Sequence, residues 1–169
     1  MLTLSSDNLH VLKWYVDASF AVHPDFRSHT GGVMTMGEGA AQAISIKQKL
    51  NTRSSCHSEL VGVDDIITKV IWSKLFMKAQ GYHIAKNILY QDNKSTILLL
   101  NNGRESAGKR SRALNIRFFF ANDQIEKKNL EVAYCPTKEM WADPMTKPKQ
   151  GQEFKHMADL LMGRTSVSS

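Results

Sequence analysis

The sequence predicts an α/β fold, in which helices pack on a mixed sheet. The first third of the chain holds three strand-like segments separated by turns. The middle changes to the apolar spacing of one long helix, and the remainder alternates short β-branched segments with helical ones. Strands that precede such an alternation are typical of a mixed sheet covered by helices, so we expect the order βββαβαβα.

The first three strands are expected within residues 10–47. Residues 10–16 are rich in β-branched and aromatic side chains, and residues 32–36 and 41–47 follow as the second and third strands. The turn at 37–39 contains two glycines and joins the last two of these strands directly. Such short connections predict an antiparallel meander.

A long helix is expected over residues 54–80, because apolar residues recur there at helical spacing. Ser54 or Ser55 can serve as its N-cap, and Gly81 is suited to end it. The remaining predicted elements are a strand at 87–90, a helix at 93–101, a helix at 114–127, a strand at 130–134, a short helix that begins at Pro136 and ends at Pro144, and a helix at 153–163.

One domain over residues 10–145 is expected in this chain of 169 residues. Residues 1–9 are interpreted as an N-terminal lead-in, and residues 146–169 as a linker, a weak C-terminal helix and a frayed tail. The longest apolar runs span four residues, whereas a membrane helix needs about 20. We therefore expect no membrane association.

The composition is that of a folded, mildly basic protein. The formal net charge is +6, which permits a polyanionic partner without requiring one. The two cysteines, Cys56 and Cys135, form no CxxC pair and no disulfide framework, which favours a reducing compartment.

Four carboxylates stand at the ends of predicted elements. Asp17 closes the first strand, Glu59 lies in the first turns of the long helix, Asp92 closes the fourth strand and Asp143 closes the short helix. Neighbouring strands would bring such acids together, and crowded carboxylates raise each other's pKa. Oxygen ligands of this kind suit Mg²⁺, and a pair of ions can stabilise both oxygens of a phosphoryl displacement.

Each of these acids also has an ordinary structural role open to it. Asp92 can cap a helix, Glu59 can complement a helix dipole and Asp143 can belong to a turn before Pro144. Asp17 has the weakest alternative, because an acid that closes an apolar strand is locally disfavoured.

The order of these motifs resembles the RNase H domain of copia-type LTR retrotransposon polyproteins. The matching blocks are WYVDASFAVHPDFRSHTGG, ISIKQKLNTRSSCHSELVGVDD, LYQDNKSTILL, KRSRALNIRFFF and EVAYCPTKEMWADPMTKP. The resemblance spans roughly residues 10–163 and implies an RNase H-like fold: a five-stranded mixed sheet, with its first three strands antiparallel, and flanking helices.

The resemblance implies a ribonuclease that hydrolyses the RNA strand of RNA–DNA hybrids and leaves 5′-phosphate ends. It implies two Mg²⁺ ions, with Mn²⁺ as a substitute, and assigns catalysis and metal binding to Asp17, Glu59, Asp92 and Asp143. Asp17 would bridge both ions, Asp143 would help hold the ion that activates water, and Glu59 with Asp92 would help hold the other. It also implies a reverse transcriptase domain as partner in the parent polyprotein, and a location in the cytoplasm, nucleus or virus-like particles. We expect the isolated chain to be a monomer.

Three features depart from the resemblance. Relatives carry an acid at position 57 and a histidine at position 113, where this chain has His57 and Ala113. Cellular relatives use a histidine near the last aspartate, and here none occurs between His83 and His156. The alternative function is therefore a catalytically impaired or inactive retroelement remnant that acts as a nucleic-acid-binding or structural module.

Polar and basic residues near the acids are candidates for substrate contacts, although a solvated surface is the ordinary interpretation of such residues. Lysine and arginine would hold phosphates, and small polar groups would meet the 2′-hydroxyls of a hybrid. The candidate substrate-binding residues are Lys47, Lys49, Asn51, Arg53, Ser54, Asn93, Arg110 and Arg112.

Overall fold

A computed structural model describes residues 1–102 and 112–164, without the side chains of residues 112–118. These described residues form a five-stranded sheet in the order β3-β2-β1-β4-β5. The first three strands pair antiparallel, whereas β1 and β4, and β4 and β5, pair parallel. The predicted mixed sheet, with its first three strands antiparallel and its flanking helices, is confirmed.

The five strands agree with the predicted ones to within three residues at each end. The strands are β1 (Val11–Ser19), β2 (His29–Thr35), β3 (Gln42–Lys47), β4 (Lys86–Gln91) and β5 (Glu131–Tyr134). The largest differences are that β1 continues past the expected end and that β2 begins earlier, because residues 17–19 pair with residues 29–31.

The helices lie where the apolar spacing places them, except around Pro144. The helices are α1 (Ser55–Ala79), α2 (Lys94–Asn102), α3 (Arg112–Glu126), α4 (Asp143–Thr146) and α5 (Gly151–Leu161). The expected helix from Pro136 to Pro144 is wrong: a short 3-10 turn, Thr137–Glu139, comes first, and Pro144 then lies in the first turn of α4. Proline suits that turn because its missing N–H has no partner there to lose.

Two hydrophobic clusters cover the two faces of the sheet. One joins Trp14 and Val16 of β1 to α1 residues such as Ile66. The other joins Val33 of β2 to Trp141 and the residues beside it. The alternation of side chains along a strand explains why β1 and β2 contribute to both.

Two adjacent glycines of β2 let a helix approach closely on each side. A Cβ on Gly31 would lie 2.7 Å from the carbonyl oxygen of Ala142 and 2.8 Å from Met145 Cβ, beside α4. A Cβ on Gly32 would lie 2.8 Å from Ile66 Cδ1 of α1. This pair therefore fixes the distance of α4 and α1 from the sheet.

The C-terminal helix packs onto the body of the protein. Met157 of α5 is buried, and Leu160 and Leu161 pack against the cluster around Trp141. A backbone hydrogen bond joins Thr3 to Met162 at 2.8 Å, so the first and last described segments meet. The boundary expected at residue 145 stays a prediction, and residues 165–169 of the expected tail lie outside the described residues. Within the described ranges, no helix is long and apolar enough to cross a membrane.

Candidate active site

Asp17 lies within β1, not at its end. It pairs with Gly31 of β2, and β1 continues for two more residues, so the expectation that Asp17 closes the strand is wrong. The residue is 1% exposed, and the hydroxyl of Thr146 in α4 donates to its Oδ2. Burial raises the pKa of the Asp17 carboxyl above its ordinary value, and the nearby Asp92 and Asp143 add to this rise.

Asp92 reaches the same end of the sheet because β4 runs parallel to β1, with Tyr15 opposite Tyr90. The Asp92 carboxylate accepts a hydrogen bond of 2.8 Å from the Thr137 hydroxyl. The helix cap considered for Asp92 belongs to its neighbour instead, since Asn93 Oδ1 accepts from the backbone N–H of Thr96 at 3.1 Å. The Asp92 carboxylate is thereby left at the site.

Glu59 enters the site from the first turns of α1. Ser54 is the N-cap of this helix, and its side chain accepts from the backbone N–H of His57 at 3.2 Å. Glu59 is 6% exposed. Burial, together with the charges of Asp17 and Asp92, raises the pKa of Glu59 from 4.5 to about 9. Burial is the larger cause of this rise, and the expected crowding of the carboxylates adds to it.

A buried glutamine aligns Glu59 with Asp92. Gln91 Nε2 donates to Glu59 Oε2 at 3.2 Å, and its Oε1 accepts from the backbone N–H groups of Asp92 at 2.8 Å and Asn93 at 3.1 Å. The two ends of one amide therefore link the α1 carboxylate to the turn that carries Asp92.

Three of the four carboxylates form a compact oxygen cluster. One ligand atom from each of Asp17, Glu59 and Asp92 lies within 4.8 Å of the others. The donor set contains only oxygen, which matches the preference of Mg²⁺ and Mn²⁺. These residues therefore fit a divalent metal ion.

Asp143 joins this cluster through a lysine. It begins α4, which corrects the expectation that it closes a helix. Lys147 Nζ lies 2.8 Å from Asp143 Oδ1 and 3.4 Å from Asp17 Oδ2, and Lys149 pairs with Asp143 Oδ2. Although burial favours the neutral acid, hydrogen bonds from both lysines hold the pKa of Asp143 below its ordinary value. The fourth carboxylate is thus adjacent to the triad and ionised.

An aromatic stack lies beside the acids on the sheet face that carries Asp17. The rings of Tyr15 and Tyr90 stack with their centroids 4.9 Å apart, and the rings of Tyr15 and Trp141 with theirs 5.5 Å apart. They line a cleft of about 420 Å³ together with residues such as His156. Each ring precedes an acid by two residues in the chain.

Half of the candidate substrate-binding residues lie in the segment that leads from β3 to α1. Lys49, Asn51 and Arg53 are exposed there. The segment is anchored by the buried Gln48, which donates to Thr30 Oγ1 at 3.0 Å and to the carbonyl oxygen of Ser58 at 2.9 Å. These exposed side chains therefore precede the helix that carries Glu59.

Other candidates already have partners or lie outside the described residues. Lys47 pairs with Asp25 at 2.7 Å. The side chains of Ser54 and Asn93 act as helix caps. Arg110 lies outside the described residues, and Arg112 begins α3 with a side chain that is not described. Their roles in substrate binding stay predictions.

The departure at position 57 affects a helix cap. His57 is the third residue of α1, and its Nδ1 accepts from the backbone N–H of Arg53 at 3.3 Å. In a capping box an acid at this position likewise accepts from the backbone that precedes the helix. Histidine takes over this acceptor role without adding a group to the oxygen cluster. Ala113 lies among the residues without described side chains.

Sequence reasoning missed the groups that hold the acids in place. These positioning residues are Gln91, Thr146, Lys147 and Lys149. One signal was present: Gln91 interrupts an apolar strand directly before Asp92. Thr146 and Lys147 follow Asp143 at helical spacing, a pattern that could have placed them beside it.

Comparison with known proteins gives relatives in both sequence and structure. No protein-family model matches the chain. The Gag-Pol polyprotein of transposon Ty1-NL2 from Saccharomyces cerevisiae is 29% identical over 140 residues, which cover 82% of this chain and 8% of that protein. The Ty1-DR5 Gag-Pol polyprotein of the same yeast is 28% identical over 141 residues, with the same coverage. The chain therefore spans only a small part of the length of these relatives.

Solved structures of an RNase H share the fold. LC11-RNase H1, isolated from compost by a metagenomic approach, superposes with a TM-score of 0.55 at 15% identity, over 80% of this chain and 92% of that one. The same enzyme in complex with an RNA/DNA hybrid gives a TM-score of 0.54 at 16% identity, over 79% and 92%.

The sheet order, the flanking helices and these superpositions define an RNase H-like fold with an acidic cluster at one end of its central strands. In sequence, the chain is similar to a segment of the Ty1 Gag-Pol polyproteins, at 28–29% identity over 82% of its length. In structure, it shares the RNase H fold.

Proposed function

We propose that the chain is an endonuclease that hydrolyses the RNA strand of RNA–DNA hybrids during retrotransposon reverse transcription. The observation that carries this proposal is the cluster of Asp17, Glu59 and Asp92 within 4.8 Å, with Asp143 one lysine away. The similarity to Gag-Pol polyproteins and the RNase H-like fold support it. A reverse transcriptase domain would be its partner in the parent polyprotein.

The four acids would hold two Mg²⁺ ions, Asp17 contributing to both. Glu59 and Asp92 would complete one position, and Asp143 the other. Bound there, the metal supplies electrophilic stabilisation of the phosphodiester and makes water more acidic. The chain's own side chains do the remainder: Gln91 orients Glu59, and Thr146 orients Asp17.

Two carboxyl groups of the site, Glu59 and Asp143, differ in how readily they hold a proton. Glu59, with a pKa of about 9, keeps its proton at neutral pH until a cation replaces it. Asp143 is ionised and paired with Lys147 and Lys149, so it would serve as an oxygen ligand without first losing a proton. The pKa of Glu59 is raised and that of Asp143 is lowered, so the two carboxyl groups differ in charge before a cation binds.

Exposed cations near the helix that carries Glu59 would position the hybrid. Lys49 and Arg53 would contact phosphates, and Asn51 would reach a 2′-hydroxyl, which distinguishes RNA from DNA. Arg110 and Arg112 would extend this surface.

The test is cleavage of an end-labelled RNA–DNA hybrid by the chain with Mg²⁺, beside the variant Asp17→Asn. We expect RNA fragments with 5′-phosphate ends from the wild type and a loss of at least a hundredfold in the variant. Lys127→Met, which changes an exposed pair at the C-terminal end of α3, serves as a control that keeps full activity. Hybrid binding without cleavage by the wild type would favour the alternative, an inactive nucleic-acid-binding module.

A further inference from the structure

A lysine side chain stands between two carboxylates that would otherwise repel each other. Lys147 Nζ is 2.8 Å from Asp143 Oδ1 and 3.4 Å from Asp17 Oδ2. Both aspartates are buried, with 1% of the surface of Asp17 and 3% of that of Asp143 exposed. Lys149 contacts Asp143 and Glu153 instead. The ammonium of Lys147 is thus shared by two acids that come from different elements.

The other side of the site is held in a different way. There the Glu59 carboxyl meets the neutral amide of Gln91, and Asp92 meets the hydroxyl of Thr137. Neither partner carries a positive charge. An incoming cation meets neutral partners at Glu59 and Asp92, whereas it meets an ammonium between Asp17 and Asp143.

The side chain of Lys147 is far more exposed than those of its two partners. Its side chain is 44% exposed, so the ammonium can turn into water. It is also the C-cap of α4, where the backbone is already extended. Asp17 is fixed in the sheet by its pairing with Gly31, and Asp143 begins a helix that packs closely on β2.

We propose that Lys147 is a resident cation at the Asp17–Asp143 side of the site and must leave before a divalent ion can bind there. This inference rests on the proposed function and deepens it. The first ion binds beside Glu59 and Asp92, and the second binds more weakly because it displaces Lys147. Lys147 is a positioning residue: it keeps Asp17 and Asp143 together while the site awaits its second ion.

Calorimetric titration with Mn²⁺ as the probe tests this order of binding, in the absence of nucleic acid. The variants are Lys147→Met, which keeps a long stem without charge, and Lys147→Arg, which keeps the charge. The matched control is Lys127→Met, because Lys127 also pairs with an aspartate four residues away at 2.8 Å, on an exposed surface. Thermal unfolding of each variant without metal verifies that it folds.

We expect the wild type to bind one ion and then a second more weakly. Removing a unit charge a few ångströms away should tighten the second ion by about tenfold or more in Lys147→Met. Lys147→Arg and Lys127→Met should keep the wild-type order. Equal or weaker second-ion binding in Lys147→Met would overturn the proposal, as would the same tightening in Lys127→Met. If Lys147→Met does not fold, Lys147→Arg decides the question. Loss of the weak second Mn²⁺ ion in this variant would contradict a displaceable cation, and binding of that second ion would support it.

The titration also separates this inference from the proposed function. The variant Asp92→Asn removes a carboxylate that Lys147 does not contact in the described structure, and it should weaken the first ion. Suppose that Asp92→Asn weakens the first Mn²⁺ ion but Lys147→Met leaves the affinity for the second ion unchanged. This result would overturn the role of Lys147 and leave the proposed function intact. A wild type and a Lys147→Met variant that both bind no Mn²⁺ would overturn both proposals.

Discussion

Replacing Glu59 by glutamine should stabilise the protein in the absence of metal, although it removes a group assigned to the active site. Glu59 is 6% exposed, and its pKa is raised from 4.5 to about 9, chiefly by burial and then by Asp17 and Asp92. An unfolded chain would ionise this carboxyl at neutral pH, whereas the folded chain keeps it protonated. Glutamine has the same shape, cannot ionise and can still accept the hydrogen bond from Gln91.

The size of the effect follows from the two pKa values. The raised pKa gives stability that is fully present below about pH 4.5 and is lost as the pH rises towards 9. Each pH unit between these values costs about 1.4 kcal/mol, or about 3 kcal/mol by pH 7. Allowing for relaxation around a buried group, we expect Glu59→Gln to gain about 2 kcal/mol at pH 7, which is roughly 5 °C in Tm.

Urea unfolding in EDTA at pH 5, 7 and 8.5 measures this gain. The difference between Glu59→Gln and the wild type should be small at pH 5 and should grow with pH. Glu131→Gln, on the exposed edge of β5, is the matched control and should show no such growth. A gain that does not change with pH, or a loss of stability at pH 8.5, would refute the argument. Mg²⁺ should reverse the order, because only the wild type gains a carboxylate ligand.

Three further changes probe the frame of the site. Gly31→Ala should destabilise the protein by about 1–3 kcal/mol by overpacking against α4, and it should weaken metal binding more than Gly81→Ala does, as urea unfolding and calorimetry would show. Gln91→Leu should lower the affinity for the first Mn²⁺ ion about tenfold with no change in the second, because it leaves Glu59 without its donor. Neutralising Lys49 and Arg53 together should weaken hybrid binding and lower its log–log salt slope by roughly 1–2, which binding isotherms at several salt concentrations would measure.

Each of these three predictions has an outcome that would contradict it. Gly81 adopts a positive φ, but a methyl group added there would meet nothing within 4 Å. Equal effects of Gly31→Ala and Gly81→Ala on metal binding would therefore separate the α4 contact from the site. An unchanged first-ion affinity in Gln91→Leu would mean that Glu59 is placed by α1 alone. A salt slope equal to that of the wild type would remove the 48–54 segment from the binding surface and leave Arg110 and Arg112 as the better candidates.

The sequence was enough to predict the sheet, because strands and helices depend on local patterns. Of the four acids, the structure brings Asp17, Glu59 and Asp92 together, and their catalytic roles stay predictions. Period-two and period-3.6 spacing predicted the strands and α1 to within a few residues. The end of β1 could not be read in this way, because Asp17, Ala18 and Ser19 continue a strand without continuing its apolar pattern. Their place in the sheet comes from pairing with residues 29–31, a contact that local spacing does not encode.

The positions of Lys147 and Thr146 could not be predicted for a related reason. Their contacts with Asp17 span 130 and 129 residues of chain. They exist because α4 lies against β2, and this approach is possible because Gly31 has no side chain. The proline at position 144 indicates the end of a helix when the sequence is considered alone, whereas in the structure it is the second residue of α4.

The four acids repel one another, so their proximity must be imposed by groups that attract. Three of them follow an aromatic residue by two positions: Tyr15 precedes Asp17, Tyr90 precedes Asp92 and Trp141 precedes Asp143. The three rings stack at 4.9 Å and 5.5 Å, in geometries that add about 0.5–1.5 kcal/mol per pair beyond the area they bury. Tyr15 and Asp17 share a face because they lie two residues apart in β1. Tyr90 lies in β4 and Asp92 directly after it, so stacking of the rings brings these acids to the same end of the sheet, and Trp141 brings the start of α4 there. The aromatic stack therefore supplies part of the free energy that crowds the acids. After burial, the remaining repulsion contributes to the raised pKa of Glu59, and Lys147 offsets it between Asp17 and Asp143.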